Sequence, residues 1–312
     1  MRLSEAVQGF LMWKAVEGSP HTVRDYANTL RKFEEFVGDD PDVAAVDADQ
    51  VRRFLYWLRV ECELAPKTVK NAHTGLSAFW TWLGAAFSLP HVIQGAVKSP
   101  KAGVREVVPL SKQDLRLILL AVEKTATWKS EKRQPAQMTR GTRYRDRAIV
   151  LFLLDTGVRA QELCSLTVGD VDIKSGAVQV RRGKGDKGRT VYLGVTARAA
   201  LWTYLNRREE EARRPDAPLF ETRRGQALDR SALRKMLMGA GQRAEIVEPV
   251  NPHRFRHTFA VNYLRNGGDV YTLQRLLGHS TMEMVKRYLA LAQTDIADAH
   301  KRASPVDNWR LG

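Results

Sequence analysis

Asp170-Val-Asp-Ile-Lys-Ser-Gly-Ala-Val-Gln-Val-Arg-Arg-Gly-Lys-Gly-Asp-Lys-Gly-Arg-Thr-Val-Tyr-Leu193 is where the chain changes period. Val171/Ile173, Val178/Val180 and Val191/Leu193 alternate with polar neighbours, the two-residue repeat of a half-buried strand. Ser175-Gly176 and the glycines from Gly183 to Gly188 separate them as turns. The spacing predicts a small antiparallel sheet of three strands. On either side the apolar residues recur every three or four positions, so the expected fold is mainly α with this one small sheet.

Upstream, Ala148 to Asp155 reads as a buried helix stopped by Gly157, and Ser111-Lys-Gln-Asp114 as a capping box for Leu115 to Glu123. Between them, residues 125–147 are polar and carry Lys129, Lys132, Arg133, Arg140, Arg143, Arg145 and Arg147. This segment is expected to be a mobile surface loop, either simply solvated or ordered by a polyanion. Farther upstream, Leu89-Pro90, Gly95 and Ser99-Pro100-Lys101-Ala102-Gly103 gather turn formers without an apolar period, as a linker does. Ahead of it, Thr22 is expected to cap a helix over Val23 to Val37, with Tyr26, Leu30, Phe33 and Val37 as its buried stripe. Val51 to Val60 repeats the pattern. Pro66-Lys67-Thr68 opens another helix, whose Leu76, Phe79, Trp80 and Leu83 read as core. Downstream, helices return from Thr196. The expected division is a helical domain over 1–95, a linker over 96–106 and a second domain over 107–312.

Of 312 residues, 44% are hydrophobic and 27% charged, a globular balance that excludes disorder and a disulfide miniprotein. The longest wholly apolar run, Ala148 to Leu154, is far short of the roughly 20 residues that span a bilayer, and the Met1-Arg-Leu-Ser-Glu start lacks a hydrophobic signal core. Cys62 and Cys164 lie far apart, which points to reduced thiols in a cytoplasmic protein. No Cys/His cluster offers a zinc site, and neither metal nor cofactor is expected. Net charge is +15, unevenly spread: residues 1–100 hold 11 basic and 12 acidic side chains, and residues 101–312 hold 39 and 23. A region that cationic calls for a polyanion, and nucleic acid is the usual one.

Four segments carry residue types suited to phosphate chemistry. In Arg181-Arg182-Gly-Lys184-Gly-Asp-Lys187-Gly-Arg189 five of nine residues are cationic and three are glycines, which makes it either a solvated turn or a lysine finger set against a phosphate. In Asn251-Pro-His253-Arg-Phe-Arg256-His257, Pro252 suits a first helical position. His253, Arg256 and His257 then share a face near the positive helix end, and Arg254 points about 100° away. Leu277-Gly-His279-Ser is a helix stop and cap ahead of a helix over Thr281 to Leu289, which turns Met282, Val285 and Leu289 to a core and carries Tyr288. Asp155-Thr-Gly-Val-Arg159-Ala-Gln-Glu162-Leu sets an arginine just past a glycine stop. In the first domain, Lys67, Thr68 and Lys70 at a helix N-terminus suit a phosphate, with Arg52 and Arg53 as further candidate nucleic-acid contacts.

Taken in order, these segments resemble the tyrosine recombinases (the lambda-integrase family), especially the Xer-like and phage or transposon integrase branches. The resemblance covers most of residues 105–290 and, more loosely, the N-terminal helices. It implies a two-domain DNA clamp that breaks and rejoins double-stranded DNA without metal or ATP, as a homo-oligomer with a dimer on each site and a tetramer in the synapse. It also implies roles. Tyr288 is the nucleophile, Arg159 and Arg256 neutralise the phosphate, and His253 acts as base. His279 donates to a nonbridging oxygen, and Lys184 is the leaving-group acid, with Lys187 as alternate. Glu162 would orient His253, and His257 would pack beside or support the active face. Arg181, Arg182 and Lys187 become DNA contacts. The tail from about 289 to 312, with Leu291, Ile296, Ala299, Trp309 and Leu311, would dock on a neighbouring subunit or pack in cis. A type IB topoisomerase-like relaxation activity and a non-catalytic DNA-binding regulator are the competing readings.

Overall fold

Ser19 and Pro20 set the first long helix in place. Ser19 accepts a hydrogen bond from the Thr22 amide, and Pro20 takes the first helical position, where its missing N–H costs nothing. The cap is therefore Ser19 and not Thr22, which lies inside the first turn. In the computed structural model, residues 1–101, 103, 108–126, 128–130, 133–181, 188–278, 281–292, 300 and 304–309 are described. They belong to two compact units, Met1–Glu106 and Val107–Gly312.

In the first unit, helices α1 (Leu3–Glu17), α2 (Pro20–Val37), α3 (Ala48–Val60) and α4 (Pro66–Phe87) enclose one apolar core. Asp47 and Gln50 close a capping box on α3. The stripe expected on α2 is half realised: Leu30 and Phe33 are wholly buried, and Tyr26 and Val37 pack at the margin. Leu76, Phe79, Trp80 and Leu83 of α4 are all buried. Phe33 meets Phe54 edge-on at 5.1 Å, and Phe79 meets Trp80 likewise at 5.1 Å, contacts that fix side-chain orientation beyond what area burial supplies.

The second unit begins with α5 (Lys112–Glu123), where the Ser111/Asp114 box is present with both bonds at 3.0 Å. Residues 125–147 are not the open loop expected. Strands β1 (Trp128–Ser130) and β2 (Arg133–Ala136) pair antiparallel, and helix α6 (Arg143–Thr156) starts within the segment. Two of its arginines are not spread over the surface either: Arg140 and Arg145 turn onto the wholly buried Asp146, at 2.9 and 2.6 Å. A buried carboxylate needs such partners, and they draw the basic segment inward.

After α6 come α7 (Ala160–Ser165) and a hairpin of β3 (Ala177–Val180) with β4 (Arg189–Tyr192), in the register Val178↔Val191 and Val180↔Arg189. The third strand is reduced to a single bridge, Val171↔Val178. Side chains take the place of the ladder there: Asp170 accepts from the Thr167 amide and hydroxyl, which winds Val168–Asp170 into a 3-10 turn, and Asp172 accepts from Ser175. The remaining helices are α8 (Val195–Leu205), α9 (Arg230–Arg243), α10 (Pro252–Arg265), α11 (Val270–Leu277) and α12 (Glu283–Ala292), followed by one helical turn at Pro305–Asn308. Among the described residues, no helix is long and apolar enough to cross a membrane.

Candidate active site

Gly157 stops α6 in the left-handed region at φ +61°, the conformation that glycine adopts at least cost. The turn delivers Arg159 to the start of α7, where its amide donates to Glu162 Oε2 at 2.7 Å and its Nη1 to Glu162 Oε1 at 3.0 Å. Arg159 remains open, with 40% of its side chain exposed. On α10, Asn251 caps by accepting from the Arg254 amide, and Pro252 opens the helix as expected. His253 then faces solvent and Arg256 is buried. Arg254 points away from this face and donates to the Val108 and Glu248 carbonyls, a structural anchor.

The C-terminus of α11 organises these cations. Its last carbonyls have no partner within the helix, and the negative end of the helix dipole attracts positive charge. Three successive carbonyls each accept from a different arginine. Leu276 accepts from Arg189 Nε at 2.5 Å, Leu277 from Arg256 Nη2 at 2.6 Å and Gly278 from Arg159 Nη2 at 3.2 Å. Arg256 also donates through Nη1 to the Gly157 carbonyl at 2.7 Å. Burial, and then the neighbouring Arg159 charge, pull the Arg256 guanidinium down to about 10, so it stays cationic at neutral pH.

Tyr288 lies on α12, half-buried, with its ring 5.1 Å from the His257 ring and tilted by 60°. Burial raises its phenol above the ordinary value, while the charges of Arg256, Arg159 and Arg287 pull the other way. The structure thus brings Tyr288, Arg159, Arg256 and His257 together, with His253 on the same helix. Val285 of α12 is wholly buried, and Met282 and Leu289 are half-buried.

Glu162 does not serve His253, as expected of it. Its oxygens go instead to Arg159 and, at 2.8 Å each, to both terminal nitrogens of Arg189. Burial works to raise this carboxyl, but the hydrogen bonds from Arg189 and the Arg159 amide overcome it and hold it at about 2. Arg189 is the residue that sequence reasoning missed. The available signal was a glutamate in an apolar helix turn, which demands a cation, though nothing in the sequence says which of many.

Arg182, Lys184, Lys187 and His279 lie outside the described residues. Arg181 is exposed and meets Asp170 at 2.6 Å. In the first unit, Lys67, Thr68 and Lys70 are exposed at the start of α4, and Arg52 and Arg53 share Asp49 at 3.3 and 3.0 Å. No group of three His, Cys, Asp or Glu among the described residues is placed to hold a metal.

The phage integrase family profile matches residues 131–295, which span the whole arginine cluster and Tyr288. The chain belongs to the phage integrase family. A second profile, the phage integrase N-terminal SAM-like domain, matches residues 11–85. Among relatives, tyrosine recombinase XerC of Halalkalibacterium halodurans is 31% identical over 96% of this chain and 97% of its own length. Tyrosine recombinase XerD of Listeria innocua is 28% identical over 97% and 99%. Among solved structures, the Tn1549 transposon integrase in complex with a circular intermediate DNA has a TM-score of 0.70 at 20% identity, covering 96% of this chain and 99% of that one. A lambda integrase dimer bound to a core site has a TM-score of 0.72 at 17%, covering 91% and 97%. These two likenesses show that the integrase fold is shared.

Proposed function

We propose that this phage integrase family member is a site-specific tyrosine recombinase that cuts and rejoins double-stranded DNA through a 3′-phosphotyrosyl intermediate. One observation carries the reading: a half-buried tyrosine beside two arginines that are fixed, before any substrate arrives, at the end of one helix.

The chemistry requires that arrangement. A phosphodiester is anionic and repels nucleophiles, so its nonbridging oxygens must be offset as the five-coordinate state forms, and a forked guanidinium does this well. Arg159 and Arg256 take that role. A free phenol is only about 0.1% ionised at neutral pH, and burial of Tyr288 lowers that fraction. His253 therefore removes the proton as the Tyr288 oxygen bonds to phosphorus. The P–O5′ bond breaks, and Lys184 gives the departing oxygen its proton. His279 donates to a nonbridging oxygen, and His257 holds the Tyr288 ring. The phosphotyrosyl ester retains the bond energy, so a 5′-hydroxyl from a partner strand reverses the step and strands are exchanged through a Holliday junction.

Residues 1–95 would grip the core DNA through Lys67, Thr68, Lys70, Arg52 and Arg53, residues 96–106 would link, and residues 107–312 would carry the chemistry, with Arg181, Arg182 and Lys187 against the backbone. A dimer would occupy each site and a tetramer the synapse, with the tail docked on a neighbour. The exposure of Trp309, at 72%, supports that docking. Such a protein would work on DNA in the cytoplasm, at the nucleoid.

The test is direct. The protein is incubated with a pool of nicked duplexes randomised across arms and spacer; a cut beside a nick frees a short fragment, which diffuses away and traps the adduct. Recovered duplexes are sequenced, and the attached nucleotide is mapped. Tyr288→Phe should bind the recovered duplex and form no adduct. An undiminished adduct in that variant rules out Tyr288 as nucleophile.

A further inference from the structure

Glu162 accepts from two arginines that differ sharply in depth. Arg159 is open to solvent, where a substrate can reach it, and Arg189 is 10% exposed. Arg189 uses its whole fork: Nη1 and Nη2 donate to the two Glu162 oxygens at 2.8 Å each, and Nε donates to the Leu276 carbonyl at 2.5 Å. Paired parallel bonds of this kind fix direction as well as distance. Glu162 Oε1 is then shared, taking Arg189 Nη1 at 2.8 Å and Arg159 Nη1 at 3.0 Å. The inner arginine aims the carboxylate, and the carboxylate aims the outer arginine.

Arg189 also stands at a junction of elements. It is the first residue of β4 and pairs with Val180 at the last rung of the hairpin ladder. In sequence it follows Lys184 by five residues. One side chain therefore joins the hairpin strand to α7 through Glu162 and to α11 through Leu276.

We infer that Arg189 is a positioning residue for phosphoryl transfer, holding Glu162, and through it Arg159, in the geometry that meets the scissile phosphate. The inference rests on the recombinase reading above. Arg189 touches no reacting atom; it works through Arg159. An ammonium cannot replace it, since one point charge cannot bridge both Glu162 oxygens and the Leu276 carbonyl in a fixed plane.

A positioning role is separable from ordinary stabilisation. Arg159 offsets charge on a nonbridging oxygen, and a methylphosphonate at the cleaved position has one such oxygen replaced by an uncharged methyl. A defect that acts through Arg159 should shrink on that substrate, whereas a general loss of folded protein should not. The experiment compares wild type, Arg189→Lys and Arg159→Ala on the recovered duplex and on its methylphosphonate counterpart, with duplex affinity and denaturant unfolding measured alongside. On phosphate, Arg189→Lys should form adduct about ten- to a hundred-fold more slowly, the range by which loss of a partner that orients a metal ligand lowers activity in metal sites, with affinity unchanged. On methylphosphonate the gap to wild type should close for both variants. Should Arg189→Lys fail to fold, Glu162→Gln, which keeps the acceptor's shape and loses its charge, must show the same closing gap. An equal defect on both substrates, or a wild-type rate on phosphate, overturns the role of Arg189 alone. Absence of adduct from wild type on every duplex overturns the recombinase reading, and this inference with it.

Discussion

Gly157 lies beneath the ring of Phe259, so close that a Cβ built on it would stand 2.3 Å from the ring's Cδ1. The same glycine is left-handed, and its carbonyl accepts from Arg256. Gly157→Ala therefore meets two penalties, about 1–2 kcal/mol for the backbone conformation and about 1–3 kcal/mol for overpacking. Denaturant unfolding should show a loss in that combined range. Phe259→Leu in the same chain should recover the packing part only, a non-additivity visible in a double-mutant cycle. Full additivity would mean that the two residues do not meet.

Asp146 predicts a second large loss. Its Oδ2 accepts from Arg140 and Thr142, its Oδ1 from the Arg145 fork, and the residue is wholly buried. Asp146→Ala leaves inward-turned arginines without their counter-charge and should cost about 3–5 kcal/mol by equilibrium unfolding. A change as small as that of an exposed pair, about 0–1 kcal/mol, would contradict the burial.

The Glu162 carboxyl gives a pH signature. Its folded value is about 2 against an ordinary 4.5, so folding favours the ionised form. The stability it contributes is complete above 4.5 and is lost as pH falls through that window toward 2. Wild type minus Glu162→Gln, measured by urea unfolding across the acid range, should be flat above 4.5 and decline below it. A difference that grows as pH falls would reverse the sign and exclude the pairing.

Lys184 is tested by leaving-group chemistry. Lys184→Ala should cut a normal duplex slowly and recover on one whose 5′-bridging oxygen is sulfur, since a thiolate departs without a proton. Failure to recover would move the acid role to Lys187 or elsewhere.

Most helix starts and stops were legible in the sequence. The Ser111/Asp114 box, the Asn251-Pro252 start and the Gly157 and Gly278 stops are all present, because caps and left-handed turns are settled within a few residues. Part of what it hid depends on distant partners. Glu162 and Arg189 are 27 residues apart, and in a chain with 50 Lys and Arg no spacing rule selects that one cation. The short β1–β2 hairpin lacks a clean alternation, and the third strand is lost to aspartates that hydrogen-bond nearer backbone and hydroxyl groups. Ser19 was legible as a cap, since Pro20 follows it directly.

The row of carbonyls at Leu276, Leu277 and Gly278 makes the end of an eight-residue helix into an interlock. Arginines from three separate parts of the chain hang on it, so a small drift of that helix loosens all of them together. Leu273 and Leu277 of this helix are wholly buried and hold it in place, in the apolar cluster against which Tyr288 packs. Trimming either should disarm the enzyme in a single stroke, a failure that a survey confined to the reactive side chains would never trace to its source.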